Sequence, residues 1–235
     1  MTRGLGKRRG LLALCLFGTV LFTSLGLWQV QRQAWKRDLI ARVETRIHAP
    51  PAGVPARAEW AALDTRAAEY RRVRVRGTFL HDRETHVDAL TRLGPGAWIL
   101  TPLRTSDGVI LVNRGFVPPE FRDARTRMAG QLSGDVTVTG LLRASEPEGR
   151  ILRANEPSAD RWFSRDVAAI ARARNLGTAA PFFIDADDTP NPGGVPRGGL
   201  TVVQFRDAHL AYAVTWFALG LLCVAGLWIL RKQGP

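Results

Sequence analysis

Hydrophobic positions along this chain follow two distinct rhythms. At two places they run without a break. Leu11 to Trp28 is eighteen residues without a charge, and Ala211 to Leu230 is twenty. At about 1.5 Å of rise per residue, twenty residues of helix reach roughly 30 Å, the hydrocarbon thickness of a bilayer. Two transmembrane helices are expected, over 11–30 and 209–230. Arg231 and Lys232 stop the second. The first continues past the membrane in helical rhythm, because Trp28, Arg32 and Trp35 recur at i, i+4 and i+7. Pro50-Pro51-Ala-Gly-Val-Pro55 ends it.

Between the spans the rhythm changes to two. From Tyr70 to Phe79, Val73, Val75, Gly77 and Phe79 point one way and Arg72, Arg74 and Arg76 the other. This is a half-buried strand with an arginine face. Further strands are expected over Glu84–Leu90, Ala97–Arg104, Val109–Asn113, Asp135–Leu142, Pro181–Asp185 and Leu200–Phe205. Leu93-Gly-Pro-Gly96 is expected as a loop. Asp107-Gly108 between apolar runs signals a hairpin. Asn113-Arg-Gly-Phe-Val-Pro118 is expected to leave that hairpin. Ser164 is the expected cap of a helix over Asp166–Asn175 that Gly177 closes.

The predicted fold class is an α+β membrane protein, with two transmembrane helices flanking an antiparallel β-rich extramembrane domain. Sequential hairpins argue for a sheet that curls towards a barrel. The predicted division is 1–10 cytoplasmic, 11–30 first span, 31–208 periplasmic domain, 209–230 second span and 231–235 cytoplasmic.

Charge supports that topology. Of the formal +12, four charges lie on Arg3, Lys7, Arg8 and Arg9, and two on Arg231 and Lys232. Basic residues favour the cytoplasmic side, so both termini are placed there. The short stretch before the first span leaves no room for a transit peptide, and no A-x-A site follows the apolar run. The expected location is therefore a bacterial inner membrane, with the first span uncleaved. The remaining charge suits anionic lipid or an acidic partner, and no nucleic acid is expected.

Candidate chemistry is sparse. The two cysteines, Cys15 and Cys223, both lie in the apolar runs, so no disulfide framework or thiolate copper site is expected. There is no phosphate-binding glycine loop, no GxSxG and no HExxH. Serine residues lack any nucleophile context, and the expected protein is not an enzyme. His81-Asp-Arg-Glu-Thr-His86 is the compact polar constellation of the domain; Arg83 in its midst opposes a cation. Asp185, Asp187 and Asp188 do not match a calcium loop.

His209 stands apart, because it sits where the second apolar run begins. On a helix it shares a face with Tyr212 and Trp216. Two readings stay open. All three suit the headgroup level of a membrane as anchors. Alternatively, neutral imidazole is a standard axial ligand of haem iron. Tyr212 and Trp216 would then form an aromatic wall. If the spans are antiparallel, Trp28, Arg32 and Trp35 emerge at the level of His209, and Arg32 suits a propionate. No metal other than such a haem iron is expected.

Four stretches together resemble the surfeit locus protein 1 family, whose yeast member is Shy-one. They are Leu25-Gly-Leu-Trp-Gln29 with Arg32 and Lys36, Val75-Arg-Gly-Thr-Phe79 with Glu84, Leu111-Val-Asn-Arg-Gly-Phe-Val-Pro118, and His209-Leu-Ala-Tyr-Ala-Val-Thr-Trp216. The chain departs from the family at Phe116, where Trp is frequent, and at Asp207-Ala208, where Asn is common. The resemblance implies an inner-membrane chaperone of the respiratory chain that serves assembly of haem–copper cytochrome c oxidase. Its implied partners are the haem-bearing large subunit, other assembly factors and membrane lipid. Its implied cargo is haem a, bound at His209 with Tyr212, Trp216, Arg32 and Trp28 around it. A scaffold that binds no haem is the alternative. An enzyme acting on haem is the third possibility, against which the missing acid–base groups count.

Overall fold

The computed structural model describes residues 2–147, 149–150, 153–201 and 209–232, without the side chains of 2–9, 37–39, 42 and 209. The chain is an α+β membrane protein. Helix α1 runs from Thr2 to His48 and α3 from His209 to Lys232. Gly10–Lys36 and Leu210–Lys232 are both long and apolar enough to cross a membrane. Small residues let the two helices approach closely. A Cβ on Gly18 would lie 2.8 Å from the Cys223 sulfur, and one on Gly26 would lie 2.6 Å from the Phe217 ring. Cys15 packs in the same way opposite Gly226.

Among the described residues, the domain between them is built on seven strands. They are β1 (Ala52–Gly53), β2 (Arg72–Phe79), β3 (Thr85–Thr91), β4 (Gly94–Thr105), β5 (Gly108–Val117), β6 (Asp135–Ala144) and β7 (Ala179–Ala186). Their order is β1-β2-β6-β7-β5-β4-β3, and β4 pairs again with β2. The five strands β2, β6, β7, β5 and β4 thus close into a barrel. Closure is tight at Gly77, where a Cβ would stand 2.3 Å from the Arg104 carbonyl oxygen.

Most neighbours are antiparallel, but β5 and β7 run parallel, as do the short β1 and β2. The parallel pair has a topological cause. The chain leaves β5, crosses the barrel end, runs up β6 and makes a second long connection before β7 lies down beside β5. Hairpin signals do not report such a return.

Alternation divides most of the core into two clusters, beside a smaller one of Ala97, Ile99 and Val117. Val73, Val75, Phe79, Leu103, Ile110, Val112 and Phe182 belong to the cluster that fills the barrel. Leu100, Val109, Leu111 and Phe183 form a second cluster with Trp162 and with Val167 and Ile170 of α2 (Val167–Ala173). The central strand β5 is therefore covered on both faces, which is why it reads as a near-continuous apolar run.

Several boundaries differ from expectation. Gly94, Pro95 and Gly96 belong to β4, paired with Thr91, Leu90 and Ala89, so the expected loop shrinks to Arg92-Leu93. Strand β5 continues to Val117, and Pro118 ends it because it has no N–H to give. Asp166, not Ser164, caps α2; its carboxylate accepts from the Ala169 amide at 3.0 Å. The Ser164 hydroxyl instead donates to the Glu146 carbonyl at 2.7 Å. Asn175, at φ 50°, takes the left-handed turn before Gly177. The expected strand over 200–205 lies mostly outside the described residues.

Candidate functional site

The helix pair carries the residues expected to bind cargo. Phe22 stacks on Trp216 with ring centroids 5.8 Å apart. With the Cys15–Gly226, Gly18–Cys223 and Gly26–Phe217 contacts this sets an antiparallel register. Continued along both helices, the register brings position 209 level with Arg32 and Gln33. Gln33 and Ala213 are buried near that level.

The expected residues are not all drawn together. Trp216 is half-buried against Phe22 rather than beside Trp28. Trp28 is 54% exposed and Tyr212 56%. The Arg32 guanidinium rests 4.6 Å over the Trp35 ring. His209 opens α3, and its side chain is among those not described. The band thus offers two uncovered aromatic side chains and a cation one level from an imidazole-bearing position. Those groups fit a flat apolar macrocycle with carboxylates, which needs an aromatic wall, a cation and an axial ligand.

Within the domain, the Asn113–Pro118 stretch shows a structural role. Asn113 and Asp185 are register partners on β5 and β7, and Asn113 Nδ2 donates to Asp185 Oδ1 at 2.8 Å. Asn113 Oδ1 accepts from the Gly115 amide at 3.2 Å. Asp185 also accepts from Arg143 at 3.0 Å, Arg165 at 3.2 Å and Thr201 at 3.0 Å. Glu69 and Glu146 flank the two arginines, so three carboxylates surround two guanidinium groups. Gly115 adopts φ 127°, and a Cβ there would stand 2.1 Å from the Arg197 carbonyl oxygen. Arg114 points to the other side of the strand. It lies 4.8 Å over the Phe79 ring and donates to Asn191 at 2.9 Å and to the Gly130 carbonyl.

The His81–His86 constellation is likewise held by protein. Glu84 is buried in an ion pair with Arg127 and accepts from His86 Nε2 at 2.8 Å. Burial opposes its ionisation, but hydrogen bonds from His86 and Arg127 outweigh it and hold the carboxyl at about 2. His81 meets the Leu132 carbonyl at 2.9 Å. Among the described residues no three His, Cys, Asp or Glu side chains are grouped to hold a metal ion.

Residue reading alone missed Arg127, Arg143 and Arg165. One signal existed for the second centre. Asp185 ends the apolar run Phe182-Phe-Ile, and a carboxylate in that position needs a buried cation.

The model of the SURF1 family matches residues 16–221, a region that contains all four motif stretches. The chain belongs to the SURF1 family. Surfeit locus protein 1 of Homo sapiens is 39% identical over 213 residues, covering 83% of this chain and 69% of that protein. The protein of the same name from Rattus norvegicus is 40% identical over 213 residues, covering 83% and 67%. A SURF1-like protein of Monosiga brevicollis is 37% identical over 245 residues, covering 97% and 90%. The two apolar helices and the barrel between them are therefore the architecture of a SURF1-family chain.

Proposed function

We propose that this SURF1-family protein is an inner-membrane assembly factor for haem–copper cytochrome c oxidase. It acts at insertion of haem a into the large subunit, or at stabilisation of that subunit. Membership of the family across residues 16–221 carries the reading. It works as a chaperone rather than as an enzyme. The domain's buried acids are engaged by arginines at Glu84 and Asp185, which leaves them unsuited to proton transfer. The basic ends Arg3–Arg9 and Arg231-Lys232 support cytoplasmic termini and a periplasmic domain.

Haem a is the proposed cargo, with His209 as ligand to its iron. Exposure of Trp28 and Tyr212 supports this, because a planar apolar group needs aromatic surface that the protein has not already covered. Arg32, held at this level by Trp35, supplies a cation for a propionate. Trp216, braced by Phe22, sets the wall of α3.

The test is a visible spectrum of the full chain purified from cells making haem a, beside His209→Ala. The expected result is a haem band in the parent protein and its loss in the variant. A parent protein without a band would leave the haem-free scaffold as the reading. A band unchanged in the variant would move the ligand elsewhere.

A further inference from the structure

One end of the barrel differs from the rest of the domain. Ile47 and His48, at the end of α1, line a cavity with Asp185, Gly199 and Thr201. Gly199 and Thr201 also line a neighbouring cavity of about 280 Å³, with Leu90, Trp98, Leu200 and Arg150 in its wall. Both connections to the apolar helices therefore leave the domain at this end.

The β3–β4 hairpin tip stands at the same end. Leu90 is 76% exposed and Leu93 45%. Among the described residues of the domain, Met128 is the one other large hydrophobic so exposed. A single exposed leucine needs no explanation, but these two are grouped. Leu90, Leu93, Trp98 and Leu200 wall one further cavity with Thr91 and Arg92, forming a continuous apolar patch.

Cations rim this patch. Arg150 and Arg153 line a cavity with Leu90, and Arg92 lies between the leucines. All three are exposed, and none belongs to the ion pairs among the described residues. The nearby acid Asp88 is already paired with Arg122 at 3.0 Å. Arg143 and Arg165 are neutralised by Asp185, Glu69 and Glu146. Three arginines outside the ion pairs of the described residues therefore stand together at the rim, beside the leucines.

We propose that this tip is a third membrane contact of the protein. Leu90 and Leu93 enter the interfacial layer of the bilayer, and Arg92, Arg150 and Arg153 bind the phosphates of anionic phospholipids. An apolar tip ringed by basic residues is the pattern of interfacial attachment. Each basic residue near an anionic surface strengthens attachment about fivefold. A bilayer fits better than a soluble partner because exposed leucines ringed by arginines match an apolar layer beneath phosphates, and because the chain carries two helices able to cross a membrane.

The test uses the full chain with Cys15→Ser and Cys223→Ser, carrying a fluorophore at Leu93→Cys. A second version carries it at Asp107→Cys, in the turn at the opposite end of β4. Both are placed in nanodiscs of phosphatidylcholine, alone or mixed with phosphatidylglycerol. The expected result is quenching by lipid-borne nitroxide at position 93 at least about threefold stronger than at 107, increased by phosphatidylglycerol. Arg92→Ala, Arg150→Ala and Arg153→Ala together should abolish that increase while circular dichroism stays unchanged. Equal access of a water-soluble quencher to both positions would overturn the membrane contact. So would a dry environment at 93 without lipid quenching, which means cover by protein. Quenching indifferent to phosphatidylglycerol would overturn the role of the arginines.

Discussion

Two of the stretches that carry the family resemblance, Asn113–Pro118 and His209–Trp216, have opposite fates in the folded chain. In the first, Asn113, Arg114, Phe116 and Val117 are all buried; the Asn113 amide and Arg114 Nη2 bind other parts of the domain, and buried Arg114 Nη1 has no partner among the described residues. In the second, Tyr212 is 56% exposed and Leu210 equally so. A stretch whose polar atoms are nearly all engaged inside the protein has little chemistry left for a ligand. A stretch that leaves aromatic surface uncovered in a membrane helix retains some. The difference separates residues that make the fold from residues available for work.

That separation can be broken most severely at Gly115. Gly115→Val would place a side chain against the Arg197 carbonyl at a positive φ, and loss of the domain's cooperative thermal transition is expected. A variant that melted like the parent would show that β5 tolerates rearrangement. Next comes Arg127→Ala, which leaves Glu84 charged and buried; a loss of about 3–5 kcal/mol in denaturant titration is expected.

Acid probes the same pair without mutation. The Glu84 carboxyl is depressed from 4.5 to about 2 in the fold, so its contribution is complete above pH 4.5 and is lost as pH falls towards 2. By linkage that contribution is on the order of 3 kcal/mol. In Glu84→Gln the acid limb of a stability–pH profile should flatten over this window. Asn113→Ala is milder, at about 1–3 kcal/mol by chemical denaturation, because Asp185 keeps Arg143, Arg165 and Thr201. The smallest expected effect on stability is at His209→Ala, which leaves every side chain of the barrel in place and should stay within about 0.5 kcal/mol of the parent domain. The same variant should show the largest loss of haem absorbance. A variant at Asn113 that lost the band while its melting stayed unchanged would erase the contrast.

Legibility follows the range of the interactions involved. Both apolar helices, the alternating strands β2 and β6 and the Asp107-Gly108 hairpin were readable, because side-chain period and turn chemistry act over a few residues. Position 93 shows the limit. Gly94, Pro95 and Gly96 signal a loop locally, yet they pair in β4 because β3 already presents a ladder edge. His209, Tyr212, Trp28 and Arg32 were nominated from spacing and family resemblance. That Trp216 packs on Phe22, and Arg32 on Trp35, depended on helix register.

By itself, then, the sequence determined the class: two spans, a β-rich domain between them and the family to which they belong. Those properties reside in uninterrupted apolar length, in a period of two and in motifs short enough to read along the chain. Tertiary structure alone decided that the sheet closes through β2 and β4 and that β5 and β7 run parallel. It also decided that Arg127 neutralises Glu84 and that Asp185 gathers Arg143 and Arg165. These are pairings between residues from twenty to more than forty apart in the chain. A chain can form such pairs in many ways until packing selects one.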